Sequence, residues 1–183
     1  AEGMLTRAAV TDKDTVLVPG ASGGVGGALV QLAKHRGARV IAMASEAKHA
    51  DVVKLGPDVI LPRAPENLRK ALGDEKITVL ADVVGGPYWP KLLDVVERGG
   101  RFTCSGAIAG PIVEFDLRTF YLRDLTFTGS TVIEPAVTRA LVSYIEAKAI
   151  KPALAATFPL SELHAAQTAF IEKKHTGNIV VVP

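Results

Sequence analysis

Short unbroken apolar runs alternate along the chain with segments whose apolar residues return every three or four positions. Val16, Leu17 and Val18 form the first run, the pattern of a strand covered on both faces. Gly20, Gly23, Gly24 and Gly26 follow, and Val25, Leu29 and Leu32 then recur at helical spacing, predicting a helix with one apolar stripe. Further runs predict strands at 38–43, 59–61, 77–84, 101–105 and 125–131. Helical spacing between them predicts helices at 47–55, 65–72 (Pro65 in its first turn), 88–98 and 134–147. The rhythm changes at the end, where 153–158 reads as extended, 161–173 as a helix capped by Ser161, and 178–182 as a last strand.

Strands that alternate with helices at this spacing imply parallel crossovers. The expected fold is α/β, a Rossmann-type doubly wound parallel six-stranded sheet with helices on both faces, plus a C-terminal strand-helix-strand tail. Residues 15–151 form the sheet domain and 152–183 the tail. Residues 1–10 read like the middle of a helix, with no initiating Met, so the chain reads as a fragment.

At 183 residues the chain is long enough for one domain with a sizeable core, and 48% hydrophobic against 22% charged residues make it globular. A net charge of +2 without a basic run argues against nucleic acid and tolerates an anionic cofactor. A single cysteine, Cys104, excludes internal disulfides and suits a reducing, cytoplasmic setting. No apolar stretch approaches a membrane span, and no signal peptide is visible. Cys104, His35, His49, His164 and His175 are scattered without ligand spacing, so no metal site is expected in this chain.

The chemistry gathers at the glycines. Strand, glycine turn and helix together open a dinucleotide-binding unit, because a helix start offers free N–H groups and a positive dipole end to a pyrophosphate. A Cβ at Gly23 would hold the phosphates away, and one at Gly26 would push the helix off its strand. Ala21 stands where the G-x-G-x-x-G pattern has its first glycine. Ser22, Gly23, Gly24, Val25 and Gly26 are the expected pyrophosphate contacts. Val83, Val84 and Gly85 end the fourth strand at the carboxyl edge, where such sheets bind ligands.

With these residues in view, the chain resembles the cofactor half of the medium-chain dehydrogenase/reductase superfamily, which holds zinc-type alcohol dehydrogenases and zinc-free quinone oxidoreductases. Residues 20–26 resemble the quinone oxidoreductase phosphate loop. Asp82-Val83-Val84-Gly85-Gly86, Gly99-Gly100-Arg101-Phe102 and the closing phrases at 158–160 and 177–180 sit where the superfamily has similar ones. The resemblance implies that residues 1–14 are a helix linking two domains. It also implies that the tail completes a GroES-like catalytic domain ahead of residue 1, with any zinc ligands and the substrate site in that domain. Ser105, Gly106, Ala107 and Ile108 would flank the nicotinamide and its ribose, with Ser130 and Thr131 near the carboxamide. No catalytic residue is expected in this chain, which would bind cofactor without turning over substrate alone.

NADPH is expected over NADH. The acid that ends the second strand in NAD-binding patterns is replaced by Ala44 and Ser45, and Lys48 and Arg63 supply positive charge; Glu46 is the contrary residue. The implied reaction is hydride transfer between NADP(H) and a carbonyl, quinone or alcohol. Strand 125–131 alternates apolar and polar residues at a sheet margin, the expected homodimer edge. Two rival readings stand beside this one. Tyr144 and Lys148, with Thr131 upstream, have the Tyr-x-x-x-Lys spacing of short-chain dehydrogenases. A stand-alone nucleotide-sensing module would need no catalysis.

Overall fold

The computed structural model describes all 183 residues. Six parallel strands form one sheet: β1 Thr15–Pro19, β2 Arg39–Ala44, β3 Val59–Pro62, β4 Ile77–Asp82, β5 Val96–Cys104 and β6 Thr126–Gly129. Their order is β3-β2-β1-β4-β5-β6. The chain starts in the middle, winds out to β3, then returns and winds out to β6, so the order reverses beside β1, the place where such sheets take a dinucleotide. No helix is long and apolar enough to cross a membrane.

Alternation along the buried strands sorts side chains onto two faces. Val16, Val18, Val40, Ala42, Val79 and Ala81 pack beneath α1 Glu2–Arg7 and α2 Gly24–His35, with Leu29 and Leu32 of α2 fully covered. Leu17, Ile41, Met43 and Leu80 face the other way. They meet Leu68 and Leu72 of α4 Leu68–Leu72 and Trp89, Leu92 and Leu93 of α5 Trp89–Asp94. The short α3 His49–Val52, flanked by single 3₁₀ turns, connects β2 to β3. The tail is a separate parallel pair, β7 Leu154–Pro159 and β8 Asn178–Val182, joined by α8 Leu163–Glu172.

Several boundaries differ from the pattern in the sequence. The helix expected over 88–98 stops at Asp94, because Val96 is fully buried and pairs with Ile77, so β5 begins before the Gly99-Gly100 pair. Pro65 lies outside α4, whose cap is Asn67, its side chain accepting the Lys70 N–H at 2.8 Å. Ser161 caps nothing: residues 160–162 form a 3₁₀ turn and Glu162 precedes α8. No element was expected over 117–122, where Asp116 caps α6 Leu117–Leu122; Leu117, Tyr121 and Leu122 stay exposed while Phe120 packs against Phe127. Val25 is not on the buried stripe of α2 but 43% exposed.

Buried charge fastens α1 to the sheet. The Arg101 guanidinium, from β5, donates to the Ala8 and Ala9 carbonyls at 2.9 and 3.1 Å and pairs with the buried Asp14 carboxylate. Asp14 also accepts from the Thr11 amide and the Thr78 hydroxyl. Burial pushes the Asp14 carboxyl up, but these donors and the Arg101 charge outweigh it and hold it below the usual carboxylate range. A carboxyl with a depressed folded-state pKa stabilises the fold above its unfolded value, near pH 4, and loses that contribution as pH falls through the lower folded value. Arg101→Met should therefore cost about 3 kcal/mol at neutral pH, the low end for breaking a buried pair because Arg101 keeps some solvent contact. In urea melts the gap to wild type should narrow below about pH 4 without closing, since the Ala8 and Ala9 carbonyls lose their donor at every pH.

Candidate functional site

The turn after β1 is built from close approach. Gly20 has φ +67, and a Cβ there would meet Val84 Cγ2 at 2.9 Å. A Cβ at Gly26 would land on the Gly20 carbonyl oxygen and lie 2.9 Å from Ala21 Cα, so α2 sits this close to β1 only because Gly26 is bare. Gly23 is the N-cap and offers no side-chain acceptor. The N–H groups of Gly24, Val25 and Gly26 find no acceptor in the turn before them. They are the free donors of a helix start, and no acidic residue stands in that first turn. Free N–H groups at a helix start are the donors that suit an anion.

Neighbouring loops close around it at the carboxyl edge. The Ala21 amide donates to the Met43 carbonyl at 3.1 Å, tying the glycine turn to the end of β2. Residues 83–85 continue past β4 and are held by Asp82, which is fully buried. Its carboxylate accepts the Val84 N–H at 2.7 Å and the Gly85 N–H at 3.0 Å. Burial pushes the Asp82 carboxyl up, against the pull of those amides. The Val83 and Val84 carbonyls accept from Ile108 and Ala109, so this loop is laced to the one after β5. Ser105 donates to Met4 Sδ at 3.0 Å, and Ile108 stays largely exposed. The Ser130 amide donates to the Cys104 carbonyl at 2.9 Å, its hydroxyl lies against Gly3 of α1, and Thr131 is exposed beside it.

Strand β2 ends at Ala44, one residue later than the sequence pattern implied; Ser45 follows and Glu46 opens an exposed 3₁₀ turn. Arg63 follows β3 directly and is exposed. Lys48 is not free in solvent. Its ammonium donates to the carbonyls of Lys173 and His175, each at 2.7 Å. Burial first, and then the charges of Lys173 and Arg63, press its pKa below that of an ordinary lysine.

The tail lies on the glycine loop, a feature the sequence alone did not reveal. The Gly177 amide donates to the Ser22 carbonyl at 2.9 Å, and Gly23 and Gly177 form a parallel bridge. A Cβ at Gly24 would strike the Asn178 side-chain amide. A cavity of about 110 Å³ runs between them, lined by Ser22, Gly24, Gln31, Lys151, Thr176 and Asn178. The legible signal was the Gly177-Asn178 pair opening the last strand, whose partner in space lies about 150 residues earlier.

Tyr144 and Lys148 do not make a catalytic pair. Tyr144, on α7 Pro135–Glu146, packs its ring edge-on against His35 at 4.5 Å, the last residue of α2. Twelve helical residues, about 18 Å, separate that end from the glycine loop. Lys148 lies past the helix with φ +55. No three His, Cys, Asp or Glu side chains converge to hold a metal ion, so the residues present do not form a zinc site.

The glycine contacts set a direct test. Gly26→Ala should lower the melting temperature by several degrees and abolish nucleotide binding. Gly129→Ala, where a Cβ would meet nothing within 4 Å, should leave both within error. Thermal melts and equilibrium dialysis of the two variants check this.

Residues 24–147 match the family described as zinc-binding dehydrogenase. Acryloyl-coenzyme A reductase from Sulfurisphaera tokodaii is 29% identical over 99% of this chain and 54% of its own length. The chloroplastic NADPH-dependent alkenal/one oxidoreductase of Arabidopsis thaliana is 30% identical over 98% of the chain and 43% of its own length. The crystal structure of a candidate alcohol dehydrogenase from Sinorhizobium meliloti 1021 superposes with a TM-score of 0.95 at 46% identity, covering all of this chain and 52% of that one. The chain thus spans about half the length of the relatives it matches. With a sheet order, glycine turn and family match that agree, the chain belongs to the zinc-binding dehydrogenase family, as the C-terminal region of a medium-chain dehydrogenase/reductase.

Proposed function

We propose that this chain is the NADP(H)-binding domain of an oxidoreductase that moves a hydride between the nicotinamide and a carbonyl, quinone or alcohol. The observation that carries the reading is the glycine-lined start of α2, whose first N–H groups have no acceptor in the turn before them, with no acid at the end of β2. Ser22, Gly23, Gly24, Val25 and Gly26 hold the pyrophosphate, and Asn178 faces the same space from the tail. Ser45, Lys48 and Arg63 take the 2′-phosphate. Val83, Val84, Gly85, Ser105, Gly106, Ala107 and Ile108 form the shelf for the nicotinamide and its ribose, with Ser130 and Thr131 at its outer side. When bound, the cofactor supplies the hydride chemistry, and these residues orient it.

Substrate binding belongs to a further domain. The tail offers the surface for it: Leu163, Phe170 and Ile171 of α8 and Ile179 and Val181 of β8 line an open apolar depression of about 480 Å³. Phe170 and Ile171 are 51% and 73% exposed, which favours a covering partner domain.

Titration of the chain with NADPH and NADH tests the cofactor. NADPH should bind tighter. Hydrogen bonds to charged groups contribute roughly 1.5–3 kcal/mol each, so Lys48→Ala should weaken NADPH about tenfold or more and leave NADH nearly unchanged. Equal losses, or tighter NADH from the start, would remove the 2′-phosphate assignment.

A twofold dimer through β6 accompanies this reading. The strand is the sheet's margin, and beyond it Val132 and Ile133 are exposed, while Phe127 turns inward against Phe102 and Phe120, each at 5.0 Å. Lysines at both Val132 and Ile133 should give monomers by sedimentation equilibrium without loss of fold. A monomeric wild type would end the proposal.

A further inference from the structure

The tail and the segment that leads into it meet α2 at two places. At the start of the helix the Gly177 amide donates to the Ser22 carbonyl at 2.9 Å, and Asn178 lies against Gly24. About two turns further on, the Gln31 carboxamide holds Lys151 by both its backbone groups. Its Nε2 donates to the Lys151 carbonyl at 2.9 Å, and its Oε1 accepts the Lys151 amide at 2.8 Å. Gly24, Gly27, Ala28 and Gln31 recur at helical spacing, so both places lie on one face of α2. The ring closes through the tail, where the Ala153 carbonyl accepts the Asn178 amide at 2.8 Å.

Inside this ring the contact is open. The cavity of about 110 Å³ lies between Gly27, Ala28 and Gln31 on one side and Lys151 and Thr176 on the other. Thr176 Oγ1 is buried there without a hydrogen-bond partner, so the space is polar enough for water. Close packing across the gap does not set the spacing of tail and helix; the hydrogen bonds at its two ends do. Lys151 also stands outside the β7–β8 ladder, which begins at Leu154 and Asn178, and Pro152 after it has no N–H. Gln31 gives it the donor and acceptor that a neighbouring strand would. A carboxylate accepts but cannot donate, an ammonium donates but cannot accept, and Asn is one carbon shorter.

We propose that Gln31 is a positioning residue of the cofactor site: its carboxamide clamps the segment entering the tail, and that clamp sets where Gly177 and Asn178 lie on the glycine loop. This rests on the NADP(H) reading above. A tail held at the glycine loop alone pivots about that one point. A second hold about 10 Å along the same helix fixes its tilt, so Asn178 meets the start of α2 at one height. Gln31 itself touches no cofactor and acts through the tail.

The test compares wild type, Gln31→Glu and Gln31→Met as the whole chain, by amide hydrogen exchange without ligand and by calorimetry with NADP+. At about pH 7.5 the carboxylate of Gln31→Glu, ionised well above its ordinary range, still accepts the Lys151 amide but repels the carbonyl. Exchange at Gly177 and Asn178 should quicken severalfold, and NADP+ should bind about three- to tenfold more weakly. At about pH 4.5 the carboxyl protonates, helped by the carbonyl that accepts its proton. It then donates and accepts as the carboxamide does, so both losses should shrink. The charged neighbours along α2 and the clamped segment are Lys34, paired with Asp58 at 2.9 Å, His35 against Tyr144, and Lys148 and Lys151. Comparison with wild type at each pH cancels their titration. Gln31→Met should show both losses at either pH. Unchanged exchange at Gly177 and Asn178 in both variants would overturn this inference. So would faster exchange with unchanged NADP+ affinity, or Gln31→Glu losses that persist at acid pH. Each of these leaves the NADP(H) reading standing, whereas a wild type that binds no NADP+ would overturn both.

Discussion

The approach of α2 to the turn after β1, at Gly26 against the Gly20 carbonyl, is the contact on which the candidate site depends. It brings the positive end of a twelve-residue helix to the carboxyl edge of the central strand. One methyl group there would lift the helix and withdraw its N–H groups from a bound phosphate. The remaining loops are arranged around that fixed point. Met43 holds the Ala21 amide, Val84 packs against Gly20, and the tail reaches Ser22 and Gly24.

Buried carboxylates serve this arrangement as fasteners. Asp82 spends both oxygens on the amides of Val84 and Gly85, so the loop beyond β4 is set before any ligand arrives. Asp14 and Arg101 do the same for the junction of α1, β1 and β5. Such preorganisation suits a binding site, since the ordering cost is met during folding rather than on binding. Lys48 differs in kind. Its bonds go to a segment 125 residues away in the chain, so the turn after β2 and the tail share one charged group.

Much of this was legible from periodicity. The strands at 16–18, 38–43 and 77–84 announce themselves because a strand covered on both faces must be apolar throughout, and the helices between them because one face must be. Boundaries were less legible where two rules compete. Gly99-Gly100 reads as a helix stop, yet Val96 already belongs to β5, because pairing with Ile77 buries it fully. Residues 117–122 make a helix of only six residues, too short for its spacing to stand out, and Leu117, Tyr121 and Leu122 stay exposed. Tyr144 and Lys148 show the converse: a spacing that matches a rival's catalytic pair, set at the far end of α2 by packing on His35.

The sequence by itself determined the doubly wound sheet, the glycine cradle and the Ala44-Ser45 pair in place of an acid at the end of β2, because each follows from local sterics, period and residue type. Only the tertiary structure decided which distant pieces share the site. That Gly177 and Asn178 lie on Ser22 and Gly24, and that Lys48 grips the end of α8, depends on how a two-stranded tail packs against a loop far back in the chain. Contacts of that kind leave no periodic trace, since backbone carbonyls accept a lysine whatever side chains they carry.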